Sequence, residues 1–185
     1  MRTMLLAGVL ALGTAMQPAL GAESSEFQIT PRIGQGEFKI DAFESVEELH
    51  ETDTYGLGIG FGVLTPIGVV FEVGADSQGN IEIFDDDEEF SLSQRYVAVG
   101  YQFELGDGWR FIPKVGRARW KLRSDAGLFD FNDDDDRELR GYEYTYEATI
   151  GRKVSRALTL GLNYKQGDYD FGRARAVSFI LQIGI

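Results

Sequence analysis

Cysteine is absent from the 185 residues, so disulfides and thiolate metal sites are excluded. Histidine occurs once, as His50, which leaves a transition-metal centre without its usual imidazole ligands and a catalytic base with one candidate. Basic residues are few, 18 against 30 acids, and the net charge of −12 repels nucleic-acid phosphates. Long apolar runs are also lacking. Beyond the N-terminus no segment nears the stretch of about 18 apolar residues that a membrane-spanning helix needs.

What is present begins with a leader. Arg2 supplies a positive start, Met4 to Met16 is free of charge, and Ala19-Leu20-Gly21 or Leu20-Gly21-Ala22 offers small residues for cleavage. The expectation is a signal peptide over residues 1–22 and a single exported domain over residues 23–185.

That domain alternates with period two. In the last nine residues, Val177, Phe179, Leu181, Ile183 and Ile185 fall on one strand face, with Ser178, Gln182 and Gly184 on the other. Tyr142, Tyr144, Tyr146, Ala148 and Ile150 oppose Gly141, Glu143, Thr145, Glu147 and Thr149 in the same way. Tyr55, Leu57, Ile59, Phe61 and Val63 oppose a row of glycines, Gly56 to Gly62. A helix would mix these faces within one turn. Strands are predicted near residues 27–40, 54–64, 67–75, 91–105, 109–123, 138–154, 157–166 and 174–185. The inward glycines leave room for long side chains from other strands, relieve strain in a curved sheet, or do both.

Tight turns at Thr65-Pro66, Gly106-Asp107-Gly108 and Ser155-Arg156 alternate with longer acidic connections, 41–53, 76–90, 124–137 and 167–173. One apolar face per strand, an even strand count and alternating short and long connections predict an all-β fold. The expected form is an eight-stranded antiparallel transmembrane β-barrel, an up-and-down meander with both termini periplasmic. Trp109 and Phe111 beside a turn, and Tyr142 and Tyr144 toward the other end, suit interfacial girdles.

The segments Tyr96-Val-Ala-Val-Gly-Tyr-Gln-Phe103, Gly106-Asp-Gly-Trp109 and Pro113-Lys-Val-Gly-Arg-Ala-Arg-Trp120, with the C-terminal strand, carry a resemblance. The chain resembles the small eight-stranded outer-membrane barrels, the OmpA transmembrane-domain and OmpX-like group. The resemblance implies a Gram-negative outer-membrane location. It departs from that group in ending on Ile185, where Phe is usual, and in carrying no peptidoglycan-binding domain after the eighth strand.

Charge placement suggests three sites. Arg32, Glu72, Lys114, Glu143, Glu147 and Lys165 should face inward as an ion-pair network, with Glu104 and Arg110 nearer the turns, because an isolated buried charge is costly. That network is either a structural plug or the lining of a narrow ion path. Arg117, Arg119, Lys121 and Arg123, with Arg137 and Arg140, form a basic collar, a candidate contact for lipopolysaccharide phosphates or for the acidic connections. Runs such as Asp85-Asp86-Asp87-Glu88-Glu89 and Asp133-Asp134-Asp135-Asp136 suit diffuse divalent-cation binding. Asp130-x-Asn132-x-Asp134 is no EF-hand, since Asp135 stands where Gly is needed and Gly141 where a bidentate Glu is needed.

Some barrels of this size modify lipid A, but the His-x-Ser pair of the deacylases is missing. His50 is followed by Glu51 and Thr52, and Asp76-Ser77 in the second long connection could meet it in space, with both on connections and not on a rigid wall. No catalytic residue, metal or cofactor is therefore expected. The expected partners are outer-membrane lipids, with no nucleic acid, and the expected state is a monomer, because a closed barrel has no free edge. The leading reading is a structural or surface role. The alternatives are a low-conductance porin-like channel, an adhesin or receptor using Phe84, Phe90, Leu128, Phe129 and Phe131, or a soluble periplasmic lipid-binding barrel.

Overall fold

The computed structural model describes residues 17–18, 24–40, 52–79, 90–124, 138–170 and 172–185. Of the expected leader only Gln17–Pro18 is described, as a two-residue strand opposite Phe103 and Glu104. His50, Arg137, the acidic runs and all but Phe90 of the apolar connection residues lie outside the described residues. For Phe90 only the backbone is described.

Eight wall strands are present among the described residues. They are β1 (Glu26–Ile40), β2 (Thr52–Leu64), β3 (Val69–Gly79), β4 (Phe90–Tyr101), β5 (Trp109–Ser124), β6 (Glu138–Lys153), β7 (Leu158–Tyr169) and β8 (Gly172–Gly184). After Gln102, β4 resumes as a short extension, Phe103–Gly106. Each strand pairs antiparallel with the next, and β8 returns to β1, so the sheet closes. The seam is finished at the terminus, where the amide of Ile185 donates to the carbonyl of Phe27 at 2.8 Å. Within that seam the paired residues skip from Ile180–Arg32 to Ile183–Ile29, opposite Pro31, which has no N–H to give.

The three tight turns share one end, the turn end; the strands lead to longer connections at the far end. Asp107 and Gly108 both have positive φ, 50° and 78°, the type I′ pattern whose twist suits a two-residue hairpin. Thr65 fastens the first turn, its hydroxyl donating to the carbonyl of Val69 and accepting from that residue's amide, both at 3.0 Å.

Two boundaries differ from the sequence expectation. β3 runs to Gly79, so Asp76, Ser77 and Gln78 are wall residues and not a connection. β7 runs to Tyr169 and β8 begins at Gly172, so residues 167–169 and 172–173 of the expected fourth long connection are wall strand. Tyr169 holds that end in strand form by turning inward against Trp120, edge-on with ring centroids 5.8 Å apart.

The alternation places polar, charged and small side chains inside, with apolar clusters toward either end, and a mainly apolar face outside. Outward residues include Phe179 and Leu57, among the most exposed at 70% and 66%. In water such a surface is unfavourable; against acyl chains it is the expected one. Among the described residues no helix is long and apolar enough to cross a membrane, and the crossing is left to strands.

Candidate functional site: the charged interior and the basic wall

The interior is layered along the barrel axis. At mid-height six strands converge on a charged cluster. Lys114 and Glu147 stand directly opposite each other on β5 and β6, and Glu147 stands opposite Lys165 on β7. Lys114 Nζ lies 2.9 Å from Glu147 Oε2 and 3.0 Å from Glu72 Oε2. Arg32 from β1 spans the same two carboxylates, pairing with Glu72 and approaching Glu147 at 3.1 Å. Lys165 Nζ sits 2.6 Å from Asp76 Oδ2 and 3.9 Å from Glu147 Oε1. Three cations therefore meet three carboxylates, and the cluster is neutral.

Hydrogen bonds and a ring complete it. The Tyr96 hydroxyl donates to Glu72 Oε1 at 2.7 Å. The Asn163 amide donates to Thr149 Oγ1 at 2.8 Å and to Glu147 Oε2 at 3.3 Å. Arg32 lies over the Tyr96 ring at 5.4 Å, and the Lys165 ammonium over the same ring at 4.1 Å. Such pairing is required here, because a buried charge deprived of its partner costs several kcal/mol.

The glycines of β2 now have a use. A side chain at Gly58 would strike the Asp76 carboxylate, and one at Gly60 would stand 2.8 Å from Glu72 Oε1 and 3.2 Å from the Tyr96 hydroxyl. Gly74 likewise leaves space for the Tyr96 hydroxyl. The row makes room for long side chains from the neighbouring strands, the first of the two explanations that the sequence allowed.

Apolar groups flank the charged layer. At the far end Phe38, Leu92, Trp120, Leu122, Tyr169 and Ala174 form one buried cluster, with Leu139 packed against it. At the turn end Leu64, Val70 and Ile112 form another, and on the seam strands the buried Gln182 amide donates to Gln28 Oε1 at 2.5 Å. Arg110 and Glu104 pair at 3.5 Å there, as their positions beside the turn suggested.

Five of the six expected interior residues therefore meet: Arg32, Glu72, Lys114, Glu147 and Lys165. Glu143 does not join them. It faces inward too, but it lies nearer the far end, and its Oε1 accepts from the exposed Tyr144 amide at 2.9 Å. Asp76 supplies the third carboxylate. The same placement puts the side chains of Asp76 and Ser77 on opposite faces of β3. Among the described residues no group of His, Asp or Glu is arranged to hold a metal.

The expected collar lies on the outer wall. Arg117, Arg119, Arg123 and Arg140 are exposed and Lys121 is half-buried. Arg117 rests over the Tyr142 ring at 5.4 Å. Arg95, exposed on β4, was not foreseen; it stands directly opposite Arg119.

Residues 6–182 are matched by the outer membrane protein beta-barrel domain. The chain belongs to that family. Its outer-membrane location follows, and the barrel's outward apolar face is its lipid-facing surface. The barrel is similar to Neisserial surface protein A (TM-score 0.66, 12% identity, 87% of this chain and 99% of that one). It is also similar to Ail, the attachment invasion locus protein of Yersinia pestis, solved with the heparin analogue sucrose octasulfate (TM-score 0.62, 10% identity, 88% and 99%). The N-terminal β-barrel domain of Pseudomonas aeruginosa OprF is a third (TM-score 0.50, 12% identity, 86% and 97%). At these identities the likeness is one of fold. No curated protein matches the sequence.

Proposed function

We propose that this is a structural, non-conducting outer-membrane barrel that carries acidic connections on the cell surface and supports the permeability barrier. The observation that carries the reading is the neutral ionic layer of Arg32, Lys114, Lys165, Glu72, Glu147 and Asp76, flanked by the Trp120 and Ile112 clusters. An eight-stranded barrel is just wide enough for its side chains to fill, and here paired side chains reach across it. The same observation counts against the porin-like alternative, because an ion entering the layer would have to break buried pairs.

In this reading the leader over residues 1–22 is removed, both termini and the tight turns face the periplasm, and the far end faces outside. The barrel works as a monomer, since its sheet has no free edge. Outer-membrane lipids are its partners, and the acidic runs gather divalent cations without a defined site. It performs no catalysis.

Deletion of the gene should sensitise a Gram-negative host to vancomycin and detergent. The wild-type chain should restore resistance, and so should a chain with segment 125–137 shortened. Unchanged resistance in the deletion strain, together with slower uptake of small solutes, would replace this reading with the channel.

A further inference from the structure

The outer wall carries a depression of about 710 Å³ near the far end, and its lining is divided by chemistry. Two cross-strand rows build it. One row reads Leu57, Ser77, Ser93, Lys121 and Arg140 across β2 to β6; the next, toward the turn end, reads Ile59, Ala75, Arg95, Arg119 and Tyr142. The small residues Ala75, Ser77 and Ser93 form the floor. Leu57 and Ile59 make an apolar wall on one side, and the long cations of β4, β5 and β6 make the other, with Arg123 also lining the space.

Two of the cations are arranged against their own interest. Arg95 and Arg119 face each other as direct cross-strand partners. Like charges so placed destabilise a sheet. A bound polyanion turns that repulsion into attraction, and Arg meets phosphate with paired, directional hydrogen bonds. One row further toward the turn end the β2–β4 part of the wall becomes Phe61, Val73 and Val97, all exposed and apolar, and the row continues through Arg117 and Tyr144 on β5 and β6. An occupant with anionic groups on the Arg rim would therefore continue downward over a greasy surface. Tyr142, 60% exposed in the second row, and Tyr55 just above mark this height as the interface level where aromatic belts sit.

We propose that this depression binds a phosphorylated, multiply acylated glycolipid of the outer leaflet. Its phosphates lie on Arg95, Arg119, Lys121, Arg123 and Arg140, and an acyl chain lies along Leu57, Ile59 and Phe61. The assignment deepens the structural reading above and rests on its orientation, with the far end outside.

The test uses the refolded barrel in detergent micelles, with hexa-acylated bisphosphoryl lipid A as the probe. Native mass spectrometry should show one retained lipid A per barrel. Retention should weaken about tenfold in Arg95→Gln and in Arg119→Gln, the loss of one strong charge-assisted contact in each. Arg152→Gln, at the turn end, removes the same charge outside the depression and should retain lipid A like the wild type. Equal retention by all variants overturns the proposal. So does binding of sucrose octasulfate as tight as that of lipid A, which would make the depression a site for soluble polyanions. Conductance of the same samples separates the two readings: lipid-A binding in a conducting barrel refutes only the closed interior, and variant-independent binding in a silent one refutes only this site.

Discussion

Lys114 and Glu147 face each other across the β5–β6 ladder inside the barrel, 2.9 Å apart, with side chains only 4% and 1% exposed. Lys114 also touches Glu72, so one ammonium holds two carboxylates together. Lys114→Met should therefore destabilise the barrel by about 3–5 kcal/mol, the cost of leaving a buried charge short of its partner. Replacing Lys114 and Glu147 together by Met and Leu should recover most of that loss. Urea unfolding in lipid vesicles measures both.

Glu143 and Glu147 lie on the same inward face of β6, but only Glu147 lies in the charged layer. Glu147→Gln should cost about 3 kcal/mol, because Arg32 and Lys114 each lose a buried carboxylate. Glu143→Gln should stay within about 0.5 kcal/mol of the wild type, because its carboxylate lies outside the buried layer and accepts from an exposed amide. Equal effects in the same unfolding assay would mean that the layer is misassigned.

Gly60 is the space that Glu72 and Tyr96 occupy. Gly60→Ala should lower stability by about 1–3 kcal/mol, the usual cost of overfilling a packed interior. Tyr96→Phe removes the hydroxyl 3.2 Å from the new methyl group, so the two changes should be non-additive in a double-mutant cycle.

Asp107 turns the β4–β5 hairpin at φ 50°. Asp107→Val should cost about 1–2 kcal/mol, because a β-branched residue resists the left-handed region, and Asp107→Gly should be tolerated. The fraction folded, read from the gel shift of the unheated barrel, tests the pair.

The period-two pattern made the fold legible, because alternation between Tyr142 and Ile150, or Val177 and Ile185, has no helical reading. Strand ends were less legible. Asp76-Ser77-Gln78-Gly79 has the composition of a turn, and ending β3 before it hid Asp76, although the inward parity of Val70, Glu72 and Gly74 continues through it. Glu143 shows the opposite limit: parity fixes the face of a residue but not its height along the barrel. Arg95 was missed because its neighbours in sequence are neutral or apolar, and its place beside Arg119 exists only through the β4–β5 register.

The central claim is that paired side chains close the interior, and planar-bilayer recording of the refolded barrel, with Glu72→Gln and Lys114→Met beside it, tests it most directly. The account predicts a silent membrane for the wild type, with the folded state verified before insertion. Discrete openings in the wild type, altered by either substitution, would contradict it and make the ionic layer a gate.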